Sequence, residues 1–344
     1  MDIFLEKMLS RIELCIDMNS ILSVVRYKEW YDSKWNCYFL VFMYFLFVNH
    51  RDFSMKILLD FMTILLFSFC LLAFGYAYND FCDQEKDRKA KKSNSLSALG
   101  KRTQLVILST TVALGVGVPI IRYRSLSCMM IVILSFILAF AYSNKRIRLK
   151  ELNSIGLFTS SIAQRVAPMF LIFYVFCSIS AVSIMIAILS FLIGIRWILI
   201  HQHYDISNDA ISETNTFVLR QNNVSRLVRL TSVVLVSEIV ALIVIMAAHF
   251  PKMTISSVLV IFTYALFQIY LLPMWRKVGW LRIILSYDFA PLADFYYLWL
   301  PLLLSVNLTI IDNRWFFLIF ISMYFGYRYV ILDVKHFKLR WQFR

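Results

Sequence analysis

Ten apolar stretches run along the chain, and short polar segments separate them. Most approach the roughly 20 apolar residues that a helix needs to cross a bilayer, and the charged residues lie mainly in the gaps between them. The stretches lie near residues 36–49, 56–78, 104–121, 127–143, 156–176, 181–202, 228–248, 254–273, 293–311 and 315–332. Because the first is short and only Asp312-Asn313-Arg314 separates the last two, the pattern predicts nine or ten membrane-spanning helices.

The composition supports a membrane protein. Hydrophobic residues make up 60% of the 344 positions and charged residues only 16%, whereas an ordinary soluble domain is about 45–50% apolar. The six cysteines have no CxxC spacing, so they indicate small buried apolar positions rather than a metal site or a disulfide framework. We therefore predict an all-α integral membrane protein.

The basic residues of the connecting loops indicate the orientation of the helices. Loops that follow even-numbered spans carry the clusters Lys86–Arg102, Lys145–Lys150 and Arg220–Arg226, and the loops on the other side are brief and less basic. The positive-inside rule places the basic loops in the cytoplasm, together with both termini if there are ten spans. The formal net charge of +14 then reflects orientation and contact with anionic lipid headgroups, and we expect no nucleic-acid partner.

These boundaries divide the chain into three predicted parts. Residues 1–34 begin with mixed acids and bases and lack the apolar centre of a cleavable signal, so we predict a cytoplasmic or interfacial N-terminal segment. Residues 35–334 form the predicted transmembrane domain, and residues 335–344 form a basic cytoplasmic tail.

A cluster of acids directly follows the second apolar stretch. If that helix continues by two turns, Asn79, Asp83 and Asp87 occupy positions i, i+4 and i+8 and share one face. The helix dipole disfavours carboxylates at a helix C-terminus, so these acids need a cationic partner such as a metal ion or nearby basic side chains. Asp80 points about 100° away from Asn79, which predicts a supporting position beside the ligands.

A second acidic pair, Asp205 and Asp209, follows the sixth apolar stretch with the same four-residue spacing. The predicted topology crosses the membrane four times between the two clusters, so both clusters face the same side and can converge on one cavity. Carboxylate oxygens suit a hard cation such as Mg²⁺, whereas the few histidines and scattered thiols argue against zinc. The sequence therefore predicts a Mg²⁺ site at which two acidic clusters hold a diphosphate.

Polar side chains inside the predicted spans are costly unless they face a cavity or pair with one another. We predict that one group of four lines a polar cavity: Gln164, Arg165, His201 and Gln202. Arg196 and Glu238 also lie inside predicted spans. They either face a cavity or pair with each other in a purely structural role.

At this point the residues resemble a known family. The segment NDFCDQEKD, which begins at Asn79, resembles the NDxxDxxxD motif of the UbiA-type intramembrane prenyltransferases, and YDISND, which begins at Tyr204, resembles their second DxxxD motif. The segment Arg26–Trp30 resembles the start of the family's first helix. Tyr142-Ser143 and Arg148–Lys150 are similar to the stretch that closes its fourth helix. Both motifs follow the spans that the family requires.

The resemblance covers about residues 20–275 and implies a UbiA-type bundle, usually of nine helices, around a central cavity that opens to the cytoplasmic side. In this fold two Mg²⁺ ions bridge the Asp motifs to a prenyl diphosphate, and the prenyl group passes to an acceptor with release of diphosphate. The implied metal ligands are Asn79, Asp83, Asp87, Asp205 and Asp209, with Asp83 and Asp205 as the catalytic pair. The implied diphosphate contacts are Arg26, Arg88, Lys145 and Lys150, and Asp80 supports them. The implied partners are a prenyl diphosphate, an acceptor that the sequence does not identify, and membrane lipids of the cytoplasmic or inner membrane.

Some features depart from the family and leave alternatives open. The loop sequence RKAKKSNS lacks the Arg-Pro-Leu that often follows the first motif, and Gly and Pro are scarce. These departures leave the identity of the acceptor open, but they do not change the predicted fold. Phosphoribosyl transfer to a polyprenyl phosphate and isoprenoid cyclisation would keep both Asp motifs. A transporter or scaffold would instead predict inverted repeats with helices broken at the membrane midplane.

Overall fold

A computed structural model of the protein describes residues 22–49, 51–176, 179–249, 255–289 and 292–342. The first 21 residues of the predicted N-terminal segment and the last two of the basic tail lie outside this range. Each of the ten apolar stretches forms a helix. In chain order these are α1 Asn36–Val48, α2 Met55–Lys89, α3 Lys101–Tyr123, α4 Leu126–Ser143, α5 Ser154–Val175, α6 Ala181–Tyr204, α7 Val224–His249, α8 Ile255–Val278, α9 Phe295–Ile311 and α10 Phe317–Gln342.

The helices make this a multi-pass membrane protein. Across the described residues, eight helices are long and apolar enough to cross a membrane, and α9 is a shorter apolar helix. Helix α1 has 13 residues, which is about 20 Å of helix against a hydrocarbon thickness of about 30 Å. The all-α prediction is confirmed, and the count of nine or ten spans stays a prediction.

Helix α1 lies at the centre of the bundle although it is short. It is apolar around its whole circumference, a pattern that requires burial on every side. It packs against α2, α5, α9 and α10, and Phe39, Phe42 and Leu46 are fully buried. By contrast, only a small share of α3 and α8 is buried, as expected for helices that face lipid. The core therefore surrounds α1, and the lipid-facing helices lie outside it.

Buried charges also join the helices to each other. Arg196 of α6 donates from Nε and Nη2 to the two carboxylate oxygens of Glu238 of α7, at 2.7 and 2.9 Å. Both side chains are buried. The alternative in which these two residues pair with each other is confirmed, and it fixes α6 against α7.

Three π-helical turns interrupt the helices in the described part of the chain. They are Tyr31–Trp35 before α1, Ile162–Val166 within α5, and Phe295–Trp299 at the start of α9. A π turn inserts one residue and rotates the side chains that follow it, and such turns are frequent at functional sites.

The C-terminal helix continues into the predicted tail. Helix α10 runs without a break to Gln342, so Lys335 and His336 belong to the helix. Lys335 lies 3.2 Å from Asp288, and His336 contacts the backbone oxygen of the same residue. The basic end of the chain therefore packs against the loop that follows α8.

Candidate active site

The two acidic motifs line one cavity of about 460 Å³, within the range of small-molecule sites. Its wall includes residues of α2, α4, α5, α6 and α10, of the segment before α1, and of the loops that follow α2, α4, α6 and α8. The predicted metal ligands all line this cavity: Asn79, Asp83, Asp87, Asp205 and Asp209. So do five further predicted residues: Asp80, Gln164, Arg165, His201 and Gln202.

The first motif lies on a continuous helix. Helix α2 runs to Lys89, so the predicted continuation through Asn79, Asp83 and Asp87 is confirmed. Asp83 accepts from two cations, because Arg148 Nη2 lies 3.0 Å from Oδ1 and Lys150 Nζ donates to Oδ2. Lys150 also donates to Asn79 Oδ1 at 2.8 Å. The face that was expected to hold a metal ion is therefore neutralised by two basic side chains.

A tight turn between α4 and α5 presents these two cations. Arg148 has a left-handed backbone conformation with φ of 41°, and the 3₁₀ turn Leu149–Glu151 follows it. Gly156 lies against this turn, where a Cβ would lie 2.6 Å from the carbonyl oxygen of Lys150. Glu151 accepts from Arg148 and from Lys86 of α2, so an acid ties the turn to the motif helix. Burial lowers the pKa of Lys150, and the charge of Asp83 opposes this shift.

Asn94 and Arg26 hold the other acids of the first motif. Asn94 Nδ2 donates to Asp87 Oδ2 at 2.7 Å and to the backbone oxygen of Asp80 at 2.9 Å. Arg26 Nη1 lies 3.1 Å from Asp80 Oδ1, and the same guanidinium also binds Glu29. Asp80 therefore connects the motif helix to the segment that precedes α1.

The second motif lies at a break between two helices. Helix α6 ends at Tyr204, and Asp205 caps it before the short helix Ile206–Ile211, which carries Asp209. The Asp209 amide still donates to the Asp205 carbonyl at 2.8 Å, so the four-residue spacing keeps both acids on the same side. Thr216 Oγ1 donates to Asp209 Oδ2 at 2.9 Å.

The two acids of the second motif differ in pKa. Burial would raise the pKa of Asp205, but the nearby His201 and Lys92 hold it below its usual range. Burial raises the pKa of Asp209 to about 6, and the charge of Asp205 adds to this shift. Asp205 is therefore the more firmly ionised member of the pair.

Lys92 connects the two motifs directly. Its amide donates to the Asp87 carbonyl at 2.9 Å, and its Nζ donates to Asp205 Oδ2 at 2.9 Å. Lys91, with φ of 52°, turns the chain at this point. One lysine residue thus spans the distance from the end of the first motif to the carboxylate of the second.

The donor atoms fit a hard cation that binds together with a phosphate. Within the described residues, no group of three or more His, Cys, Asp or Glu side chains is close enough to hold a metal ion. Mg²⁺ is usually bound through one or two carboxylates, with phosphate oxygens and water completing its octahedron. The cavity offers carboxylate and amide oxygens for such a cation, and it offers basic side chains for a phosphate.

Comparison with known proteins now gives the family. The sequence matches the UbiA prenyltransferase family over residues 37–283, a range that holds both acidic motifs. The chain belongs to the UbiA prenyltransferase family. No curated protein matches the sequence significantly.

A solved structure supports the UbiA-type fold. The chain is similar to a digeranylgeranylglyceryl phosphate synthase in membranes, with 13% sequence identity and a TM-score of 0.50, over 93% of this chain and 99% of that chain. At this identity the likeness shows the fold alone.

The structure separates the predicted diphosphate contacts of this UbiA-family protein into two groups. Arg26 and Lys150 line the cavity and bind motif acids. Arg88 and Lys145 are exposed, and neither is among the side chains that line the cavity. The diphosphate role of Arg88 and Lys145 stays a prediction that this geometry does not support.

Sequence reasoning missed several basic residues of the site. Arg148 was noted only as part of a resembling segment, and Lys92 only as a loop charge that indicates orientation, whereas Lys86 was one of three nearby cations, with Arg88 and Lys89, expected to compensate the motif acids. For Lys86 a signal existed, because it lies about 60° from Asp83 around α2, whereas Arg88 lies about 140° away. Gln202 lines the cavity, as predicted, and it has a second contact that the sequence did not indicate, because its Oε1 accepts from the Val218 amide at 3.2 Å.

Proposed function

We propose that this protein transfers a prenyl group from a prenyl diphosphate to an acceptor, with Mg²⁺ as cofactor and diphosphate as the leaving group. The observation that carries the proposal is that Lys92 joins the two acidic motifs across one cavity. Lys92 and Lys150, which belong to basic loops, line the cavity, and this supports a cytoplasmic orientation. Membership of the family supports prenyl transfer as the reaction.

The motif side chains supply the oxygen donors that this reaction needs. Asn79, Asp83, Asp87, Asp205 and Asp209 would hold Mg²⁺. When bound, Mg²⁺ acts as a Lewis acid that neutralises the diphosphate leaving group. We assign the central role among these ligands to Asp83 and Asp205. Asp83 binds Arg148 and Lys150, and Asp205 binds Lys92.

The basic side chains stabilise the charge that develops during the reaction. The allylic carbon–oxygen bond of the donor breaks, its electron pair stays on the diphosphate oxygen, and the acceptor bonds to the allylic carbon and loses a proton. Lys150 and Arg148 bind Asp83, and Lys92 binds Asp205, so these cations would lie near the negative charge that develops on a diphosphate held by the two motifs. Fixed charges aimed at the developing anion in a site of low dielectric lower the barrier more than charges in water.

The inner part of the cavity suits an isoprenoid chain. Leu71, Leu72, Ala139 and Ile198 contribute apolar surface, and Trp197 contributes an aromatic ring. An apolar wall excludes water, which would otherwise capture the allylic cation, and an aromatic face stabilises positive charge.

Incubation with labelled donors tests this function. The purified protein is mixed with Mg²⁺, prenyl diphosphates of several chain lengths and a lipid extract, and the products are identified by mass spectrometry. We expect a product whose mass equals that of an acceptor plus one prenyl group minus a proton, together with one equivalent of diphosphate. Transfer of a phosphoribosyl group, or cyclisation of the donor without an acceptor, would overturn the proposal.

A further inference from the structure

A short helix lies where α7 begins and α8 ends. This helix, Trp280–Ile284, follows α8 in the chain and contacts both α7 and α8. Ile284 belongs to an apolar cluster with Leu227 of α7, and Ile283 belongs to a second cluster with Leu271 of α8. The short helix is therefore packed against both spans, on the side of the molecule that carries the basic loops.

The first turn of the short helix exposes large apolar side chains. Trp280 is 57% exposed and Leu281 is 56% exposed. The neighbouring span α8 is also mostly exposed. Tryptophan is enriched where a membrane meets water, and exposed apolar side chains of a helix at that level insert among the lipids. Trp280 and Leu281 therefore mark a place where the chain contacts lipid.

Four exposed arginines accompany these apolar side chains. They lie in the first two turns of α7, in the last turn of α8 and in the short helix itself: Arg226, Arg229, Arg276 and Arg282. Among the residues that the structure describes, no ion pair joins any of the four to a carboxylate. We call the four arginines, together with Trp280 and Leu281, the α7–α8 surface.

The sequence around this surface supplies almost no negative charge. Residues 214–287 contain seven basic residues but one acidic residue, Glu238, and Glu238 is buried in its pair with Arg196. The next acidic residue along the chain, Asp288, pairs with Lys335. The α7–α8 surface therefore keeps a positive potential, which attracts anions.

An anionic phospholipid matches both features of the α7–α8 surface. A soluble anion would neutralise the arginines but leave Trp280 and Leu281 uncovered, and a zwitterionic lipid would cover these side chains without a net charge to match the arginines. A second copy of this chain would bring the same positive charges to a symmetric contact, where like charges repel. Guanidinium groups bind phosphate oxygens through paired hydrogen bonds, and basic residues beside a membrane attract anionic headgroups.

We propose that the α7–α8 surface binds an anionic phospholipid of the surrounding leaflet, with the headgroup phosphate at the arginines and an acyl chain against α8. The contact with headgroups that the net charge indicates is spread over all the basic loops, whereas this assignment gives one lipid a defined place. The inference does not rest on the proposed prenyl transfer, so either one can fail without the other.

Brominated phospholipids test the assignment, because bromine quenches the fluorescence of a tryptophan that it contacts. The purified protein is reconstituted in phosphatidylcholine vesicles with a rising fraction of brominated phosphatidylglycerol or, separately, brominated phosphatidylcholine. The difference between the unmodified protein and Trp280→Phe isolates the quenching of Trp280. Each basic residue beside an anionic headgroup contributes about fivefold in affinity. We therefore expect phosphatidylglycerol to reach half-maximal quenching of Trp280 at a fraction several-fold lower than phosphatidylcholine does.

Two pairs of substitutions connect this preference to the arginines. The double variants Arg276→Gln with Arg282→Gln, and Arg226→Gln with Arg229→Gln, should each remove most of the preference for phosphatidylglycerol. The second pair remains informative if the first disturbs the fold, since Arg282 also lies 5.5 Å from the centre of the Phe289 ring. The matched control changes Lys101 and Arg102 to Gln, which removes two exposed cations at the start of α3, and it should keep the preference.

Three results would overturn the inference. Equal quenching of Trp280 by the two lipids would show that the arginines do not select an anionic headgroup. Absence of quenching by either lipid would show that another occupant, such as a second copy of the chain, covers the surface. A loss of preference in the α3 control as large as in the arginine variants would show only a general effect of membrane charge.

Discussion

The turn that presents Lys150 to the acidic motifs depends on a single glycine. A Cβ on residue 156 would lie 2.6 Å from the Lys150 carbonyl oxygen, 2.7 Å from that of Leu149 and 2.8 Å from the Lys150 carbonyl carbon. These are backbone atoms, so they cannot rotate away as a side chain would. Comfortable contacts between such atoms are about 3.5 Å, so Gly156→Ala must displace the turn by roughly 1 Å.

That displacement should lower both stability and activity. Overpacking of this kind costs about 1–3 kcal/mol of unfolding free energy. The ammonium of Lys150 binds Asp83 and Asn79, and a misplacement of about 1 Å at a reacting centre can cost roughly 100-fold in rate. We therefore expect Gly156→Ala to lower the thermal midpoint and to slow Mg²⁺-dependent pyrophosphate release by about 10- to 100-fold.

A second glycine provides the matched control. Gly117 lies inside α3, and a Cβ there would meet no atom within 4 Å. Gly117→Ala should leave activity unchanged and raise stability by up to about 1 kcal/mol, because alanine has the higher helix propensity. Pyrophosphate release is followed by a coupled phosphate assay, and unfolding by heating in detergent. If Gly156→Ala matched Gly117→Ala in both measurements, the argument from the turn would be refuted.

Three further predictions follow from the charges. Asp83→Ala and Asp205→Ala should each abolish Mg²⁺-dependent pyrophosphate release, whereas the exposed control Glu85→Gln should retain it. Turnover in either alanine variant would contradict the assignment of that residue as a metal ligand. Chelation of Mg²⁺ by EDTA should stop pyrophosphate release and added Mg²⁺ should restore it, and activity that persists in EDTA would contradict the proposal. Arg196→Met should lower the unfolding free energy by about 3–5 kcal/mol, because it leaves Glu238 buried without a partner. The double variant with Glu238→Leu should recover most of that loss, and equal instability of the two would argue against the ion pair.

The helices and the acidic motifs were predictable from local patterns. Apolar length alone located all ten helices, and the four-residue spacing placed Asn79, Asp83 and Asp87 on one face of α2. Charge pairing within the membrane was also foreseen for Arg196 and Glu238, since two buried opposite charges have few other ways to be satisfied.

The basic half of the site was not predictable in the same way. Lys92 belongs to a loop rich in basic residues, and nothing local distinguishes it from neighbours that only face the cytoplasm. Its role follows from a turn at Lys91 and from the tertiary approach of Asp205. The π turns are equally hidden, because an inserted residue leaves the apolar pattern of the span almost unchanged. Arg165 was therefore expected at the cavity, but its hydrogen bonds to the Ser33 carbonyl and the Tyr297 hydroxyl, which lie in the other two π turns, were not.

The cation pairs of the acidic motifs suggest how metal and diphosphate binding depend on each other. The carboxylates of Asp83 and Asp205 already bind basic side chains, so we expect them to bind a metal ion only after Arg148, Lys150 and Lys92 have gained another anion. A diphosphate is such an anion, so its binding would release the carboxylates as it neutralises the cations. Each ligand should then raise the affinity of the other by the same factor.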